Sequence, residues 1–130
     1  MSSATILTVR VLLASPAVGA IVGDRIEPEW TPDSELPRIV VRQATDRQHH
    51  GASGPLPVRY ATLNILCVAA SFEDADALAD TVIEALKGIR HAGAGTERIT
   101  LFQDGANTST QDPETGAFQR IIGFRATITG

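Results

Sequence analysis

The sequence contains little cysteine, and so little from which a covalent or metal-based framework could be built. Cys67 is the only cysteine, which excludes a disulfide within the chain and leaves no cluster for zinc or an iron–sulfur centre. We expect packing alone to hold the fold, with no metal and no cofactor, in an aqueous and reducing compartment.

Aromatic residues are scarce, and an excess of positive charge is missing. Phe, Trp and Tyr make up 5% of the chain, and 11 basic residues stand against 15 acidic ones, for a formal net charge of -4. Proteins that hold nucleic acid usually need a basic excess for the phosphates and aromatic rings for unstacked bases. These two shortages argue against that class.

No hydrophobic run reaches the roughly 18 residues that a membrane-spanning helix needs. The most apolar stretch, residues 5–20, carries Arg10 in its middle and lacks the basic start of a secretory signal. We therefore expect neither a membrane span nor a signal peptide.

What the chain does have is the size and composition of one globular domain. Its 130 residues are 43% hydrophobic and 20% charged. Independent domains most often have about 100–150 residues. We expect residues 1–130 to form a single domain with one core and no cleft between lobes.

The first half of the chain predicts helices followed by strands. Ser15 and Pro16 are typical of a helix start, and they divide residues 1–22 into a broken helical hairpin that ends at Gly23. Residues 38–44 are rich in β-branched side chains and predict a strand. Residues 59–70 alternate and then become apolar on both faces, which predicts a strand in the centre of a sheet.

The second half predicts one long helix and two strands. Ser71 is a suitable N-cap, and the residues after it recur at helical spacing with an apolar stripe: Ala75, Leu78, Ala79, Val82, Leu86 and Ile89. Residues 97–103 and 118–129 alternate in polarity and predict an antiparallel pair of strands. Two polar stretches, 46–57 and 104–116, are predicted as long loops, the first of them a loop or an arm.

Together these elements predict an α+β fold. It is a two-layer sandwich, with a mostly antiparallel or mixed sheet of about four to five strands and two main helices on one face.

None of the candidate reactive groups assembles a catalytic or metal site. His49 and His50 lie near Asp46 but lack ligand spacing, so a solvated segment explains them better than a metal centre. Cys67 falls in the most apolar strand, where a thiol is usually an inert core residue. The acidic residues of 104–116 do not match a calcium loop and fit a polar turn. We therefore expect a protein that is not an enzyme.

Several runs of the sequence resemble the tail-completion proteins of tailed phages, the tail terminators of the neck. The resemblance covers nearly the whole chain and rests on the order of weak motifs: LLASPAV at 12–18, IVGDRI at 21–26, LPRIVV at 36–41, LNI at 63–65, the Ala/Asp-rich helix through 86, and IGFRA at 122–126. Related proteins occur in prophages and in gene transfer agents.

The resemblance implies a structural virion protein made in the host bacterial cytoplasm. Such a protein forms a hexameric ring that terminates the tail tube, contacts the major tail tube protein, and joins the tube to the head-side connector or stopper. DNA would pass through the lumen without specific binding, with which the acidic balance is consistent. On loop length and polarity we expect seven docking residues: Arg47, His49, His50, Asp104, Asn107, Asp112 and Glu114.

Two other interpretations stay open at this stage. One is a head-completion or stopper protein of the same neck, and the other is a non-viral α+β module that binds a ligand.

Overall fold

Ser15 and Pro16 divide the N-terminal segment into two helices in the computed structural model, which describes residues 4–28, 35–51, 54–90, 92–94 and 97–129. Helix α1 is Ala4–Leu13 and helix α2 is Pro16–Val22. The Ser15 hydroxyl accepts a hydrogen bond from the Val18 N–H at 3.4 Å, and Gly23 ends α2 with a positive φ of 61°. The predicted break is confirmed, but the two helices meet at 88°, so they do not form an antiparallel hairpin.

Within the described residues no single helix is long and apolar enough to cross a membrane; only the bent α1–α2 pair has the combined length and composition.

Six strands form one mixed sheet in the order β1-β2-β3-β6-β5-β4. Their bounds are Ile26–Glu27 for β1, Arg38–Gly51 for β2, Gly54–Ala69 for β3, Ala92–Ala94 for β4, Glu97–Gln111 for β5 and Phe118–Thr129 for β6. All neighbours are antiparallel except β1 and β2, which are parallel. The central position of β3 and the antiparallel pairing of β5 with β6 are confirmed. The two-residue β1 falls within residues 24–30, which the sequence predicts as a short extended piece. The sheet exceeds the expected number of strands because the three-residue β4 is not predicted by the sequence.

Helix α3, Phe72–Leu86, packs its apolar stripe on one face of the sheet. The Ser71 hydroxyl accepts a hydrogen bond from the Asp74 N–H at 3.2 Å, which confirms the predicted N-cap. The stripe residues Ala75, Leu78, Ala79, Val82 and Leu86 are buried, and the last four share one core with the helix-facing residues of the long strands. The fold is therefore the α+β sandwich that the sequence predicts, with three helices in the described part.

The two long polar loops are a wrong prediction. Strands β2 and β3 continue through most of residues 46–57, where Asp46 opposes Ala61 and Gly51 opposes Gly54. Strand β5 continues to Gln111, so the β5–β6 connection is only a short turn. Residues 108–111 are exposed on both faces of the sheet. A strand without a buried face lacks the apolar alternation from which strands are recognised.

Candidate assembly surfaces

The β2–β3 hairpin extends beyond the rest of the sheet as a two-stranded arm. The last residue of β3 that pairs with β6 is Val58, opposite Thr129, whereas the β2–β3 pairing goes on to Gly51 and Gly54. His49 and His50 belong to this arm, and Arg47 lies on β2 just before it. Their side chains lie outside the described part of the chain. The arm that the sequence allowed as an alternative to a loop is thus a β-ribbon.

The turn between β5 and β6 lies at the opposite end of the sheet. Gln111 and Ala69 both oppose Phe118 there, far along the strands from the β2–β3 arm. Asp112 and Glu114, two of the expected docking residues, belong to this turn. Five of the seven expected docking residues are therefore divided between the two ends of one sheet.

The Asp112 carboxylate accepts two hydrogen bonds from within the turn. Its Oδ1 accepts the Glu114 N–H at 2.9 Å, and its Oδ2 accepts the Thr115 hydroxyl at 3.0 Å. The hydrogen bond from the Glu114 backbone, followed by that from the Thr115 side chain, lowers the pKa of Asp112 below its ordinary value of 3.8. Gly116, with φ at 74°, closes the turn. Asp112 is half-buried, whereas Glu114 is exposed.

Asp104 and Asn107 lie at an irregularity in β5. The pairing shifts between Gln103, opposite Phe124, and Asn107, opposite Ile122, so residues 104–106 oppose Gly123 alone. Gly105 has a φ of 97°, which favours glycine. Asp104 approaches Arg125 at 3.9 Å, and both side chains are about 60% exposed (61% and 59%). Such a pair contributes little to stability.

Arg120, on β6, contacts both the part of β5 that follows this bulge and helix α3. Its Nη2 donates a hydrogen bond to Asn107 Oδ1, and its Nη1 lies 2.6 Å from Asp76 Oδ1 on α3. The Arg120 side chain is only 17% exposed. Asn107, expected as a docking residue, is thus engaged within its own subunit.

Sequence reasoning missed Arg120, although a signal was present. Phe118, Ile122 and Phe124 alternate on the core-facing side of β6, and Arg120 is the charged residue at a position of the same parity. A charge on a core-facing position indicates a buried partner.

Cys67 lies opposite Arg120 on β3 and is fully buried. Burial raises the pKa of the thiol to about 12, and the nearby Arg120 charge opposes the shift only in part. A thiol with so high a pKa is a poor nucleophile, so the prediction of a core cysteine is confirmed.

The described residues bring together no group of three or more His, Cys, Asp or Glu side chains that could hold a metal ion. A groove of about 340 Å³ between α2 and the start of α3 is lined mostly by apolar side chains. Among the described residues that line it, Asp74 is the only ionisable one, and none of them is a nucleophile paired with a base.

Comparison with protein families matches residues 8–129 to the model described as tail completion protein gp17. The chain belongs to this tail completion protein family. A tail completion protein is a structural component of a phage tail, so the resemblance read from the sequence motifs is confirmed at this level.

The tail completion protein also shares its fold with a chain of a solved structure, the virion of a native gene transfer agent particle. The TM-score is 0.69 at 19% sequence identity, over 98% of this chain and 96% of that chain. At this identity the likeness concerns the fold. No curated protein matches the sequence.

Proposed function

We propose that six copies of this tail completion protein form a ring that terminates the tail tube and joins it to the head-side connector. The observation that carries the proposal is the family match, which extends over residues 8–129. Such a protein acts by fitting its surfaces to those of its partners, without catalysis. Its partners are further copies of itself, the major tail tube protein and a head-side connector or stopper protein.

The shape of the subunit supports a joint between two partners. The β2–β3 arm and the β5–β6 turn project from opposite ends of one sheet. In a ring whose strands run from one face to the other, all six arms lie on one face and all six turns on the other. One face then docks on the last ring of the tail tube, and the other receives the head.

Five of the expected docking residues fit the assignment of one partner to each face. Arg47, His49 and His50 serve the face with the arms, and Glu114 serves the face with the turns, with Asp112 shaping the turn. The formal net charge of -4 suits a lumen through which DNA passes without being held, because like charges repel.

The direct test adds the purified protein to tail tube protein while the tubes polymerise. We expect rings at one end of the tubes and tubes that stop growing. Tubes of unchanged length with bare ends would overturn the proposal. Rings that bind isolated heads but never the tubes would favour a head-completion or stopper protein.

Variants of the two ends sharpen this test. A His49→Ala/His50→Ala chain should lose one of the two partners and keep the other, and Glu114→Lys should show the reverse loss. Each variant is the control for the other, since the two alter opposite ends of the sheet. Loss of both partners by either variant would contradict the assignment of one partner to each end.

A further inference from the structure

The outermost strands of the sheet, β1 and β4, are short. The long strands next to them, β2 and β5, therefore have outer edges that are largely open within the described residues. On β2 only Ile39 and Val40 pair with β1, and on β5 only residues 97–99 pair with β4. The remaining stretches, 41–51 and 102–111, are each about ten residues, or roughly 33 Å of strand. Folded proteins usually block such edges because they pair readily with other chains.

The backbone groups that point outward can be assigned from the pairing pattern. The Leu101 N–H donates to the Ile89 carbonyl, away from β6. Antiparallel pairing alternates between residues bonded to a neighbour and residues pointing away from it. The alternation continues along β6 without interruption, so it also holds for the residues of β5 that pair with β6 after the bulge. The N–H groups of Asn107, Ser109 and Gln111 therefore point to the open side.

The same reasoning applies to β2. The Ile39 N–H donates to the Arg25 carbonyl, away from β3. Carried along β3 past the irregularity at 43–45, the alternation points the N–H groups of Asp46 and Gln48 outward. Regular strand therefore runs over 45–48 on one edge and 107–111 on the other.

Two further observations make these edges suitable for pairing. Neither β2 nor β5 contains proline or lysine, the residues that most often protect an edge. The two strands also run in opposite directions, since β2, β3, β6 and β5 are successively antiparallel. A ring that keeps the strand direction from copy to copy would therefore bring β5 of one copy antiparallel to β2 of the next. Asn107 and Ser109 lie level with Val41 and Ile39 of their own subunit, about six residues along β2 from 45–48, so a closed ring that pairs 107–111 with 45–48 has its strands inclined to the ring axis, as in a β-barrel.

We propose that the subunit contact of the ring is a strand pairing between the β5 edge at 107–111 of one copy and the β2 edge at 45–48 of the next. This proposal rests on the ring proposed above. The contact uses different surfaces on its two sides, so it propagates from copy to copy and closes only as a ring. Backbone hydrogen bonds supply the affinity, as in other cases of strand addition.

Proline variants test the contact because proline removes one N–H from an edge. Ser109→Pro and Asp46→Pro each delete an N–H that points away from the neighbouring strand of its own subunit. We expect each to raise the apparent dissociation constant for self-association by about tenfold or more, measured by sedimentation velocity. Ser109→Ala and Asp46→Ala keep the donor and are the matched controls.

A mixture of the two proline variants gives the sharper result. One variant keeps an intact β2 edge and the other an intact β5 edge, so together they should form dimers and nothing larger. A symmetric contact between two β5 edges would instead leave Asp46→Pro fully competent to associate. That outcome, or assembly of both proline variants like their alanine controls, would overturn the strand pairing.

Hydrogen exchange on the wild-type chain tests the same contact without any substitution that could disturb folding. Amides of 107–111 and 45–48 should exchange at least about tenfold more slowly in the assembled ring than in the dilute subunit, whereas α3 should not change. Rings without this protection would overturn the pairing and leave the ring proposal standing. A chain that stays monomeric, both alone and on tail tubes, would overturn both proposals.

Discussion

Replacing Arg120 by methionine should destabilise the subunit by about 1–2 kcal/mol. Methionine keeps the apolar stem but removes the hydrogen bonds to Asp76 and Asn107. Hydrogen bonds to a charged group are worth about 1.5–3 kcal/mol each. The Asp76 side chain is 42% exposed, so solvent screening reduces its share to the range of a surface pair.

One feature of Arg120 works against this stabilisation. Its Nε is buried and has no hydrogen-bond partner among the described residues. An unsatisfied buried donor costs about 1–3 kcal/mol, and methionine removes that cost. The net loss therefore falls below the roughly 3–6 kcal/mol that two fully effective charged hydrogen bonds would give, to about 1–2 kcal/mol.

The expected loss converts to a measurable shift in the thermal midpoint. Unfolding entropy is about 2.1 cal/mol/K per residue, or about 0.27 kcal/mol/K for 130 residues. Arg120→Met should then lower Tm by about 4–7 °C in a calorimetric scan.

Arg125→Met is the matched control for this substitution. It removes the same side chain from the same strand, but the pair with Asp104 is long and exposed. We expect its Tm to fall by less than about 2 °C. Equal shifts for the two variants would refute the view that Arg120 fastens β5 to α3.

Three other predictions concern single residues. In an NMR titration the Asp112 carboxyl should show a pKa below 3.8. The stability that its hydrogen bonds contribute is present above about pH 4 and should be lost as the pH falls through that lowered pKa. An ordinary pKa would contradict the hydrogen bonds that Asp112 accepts in the turn. Cys67 should react with a thiol reagent at pH 8 only as fast as the chain unfolds, because its thiol is buried with a pKa of about 12; rapid labelling of the folded chain would show that the strand is accessible. Gly105→Ala should lower stability by about 1–2 kcal/mol in urea unfolding because of its positive φ, whereas Gly19→Ala, in a helix with open space around it, should raise stability by about 0.5–1 kcal/mol; the opposite order would contradict the geometry of the bulge.

Much of the fold follows from local sequence patterns. The caps at Ser15 and Ser71, the apolar stripe of α3 and the central strand β3 are each encoded within a few residues. They could be predicted because burial on one face leaves a regular spacing of apolar side chains. The length of β5 could not be predicted in this way, since residues 107–111 have no buried face to impose a pattern.

The candidate surfaces show the same limit. Sequence polarity marked 46–57 and 104–116 as places for partners, and the structure assigns them to two strand edges, an arm and a turn. Sequence polarity could not reveal that Asn107 is held by Arg120, because that contact depends on the pairing of β5 with β6.

The ring itself is tested most directly by electron microscopy of tails that lack heads, from particles carrying this protein with a small label. The account predicts six labelled copies in a ring at one end of the tail tube. A label found only on heads, or at the tube end with a symmetry other than six-fold, would contradict it.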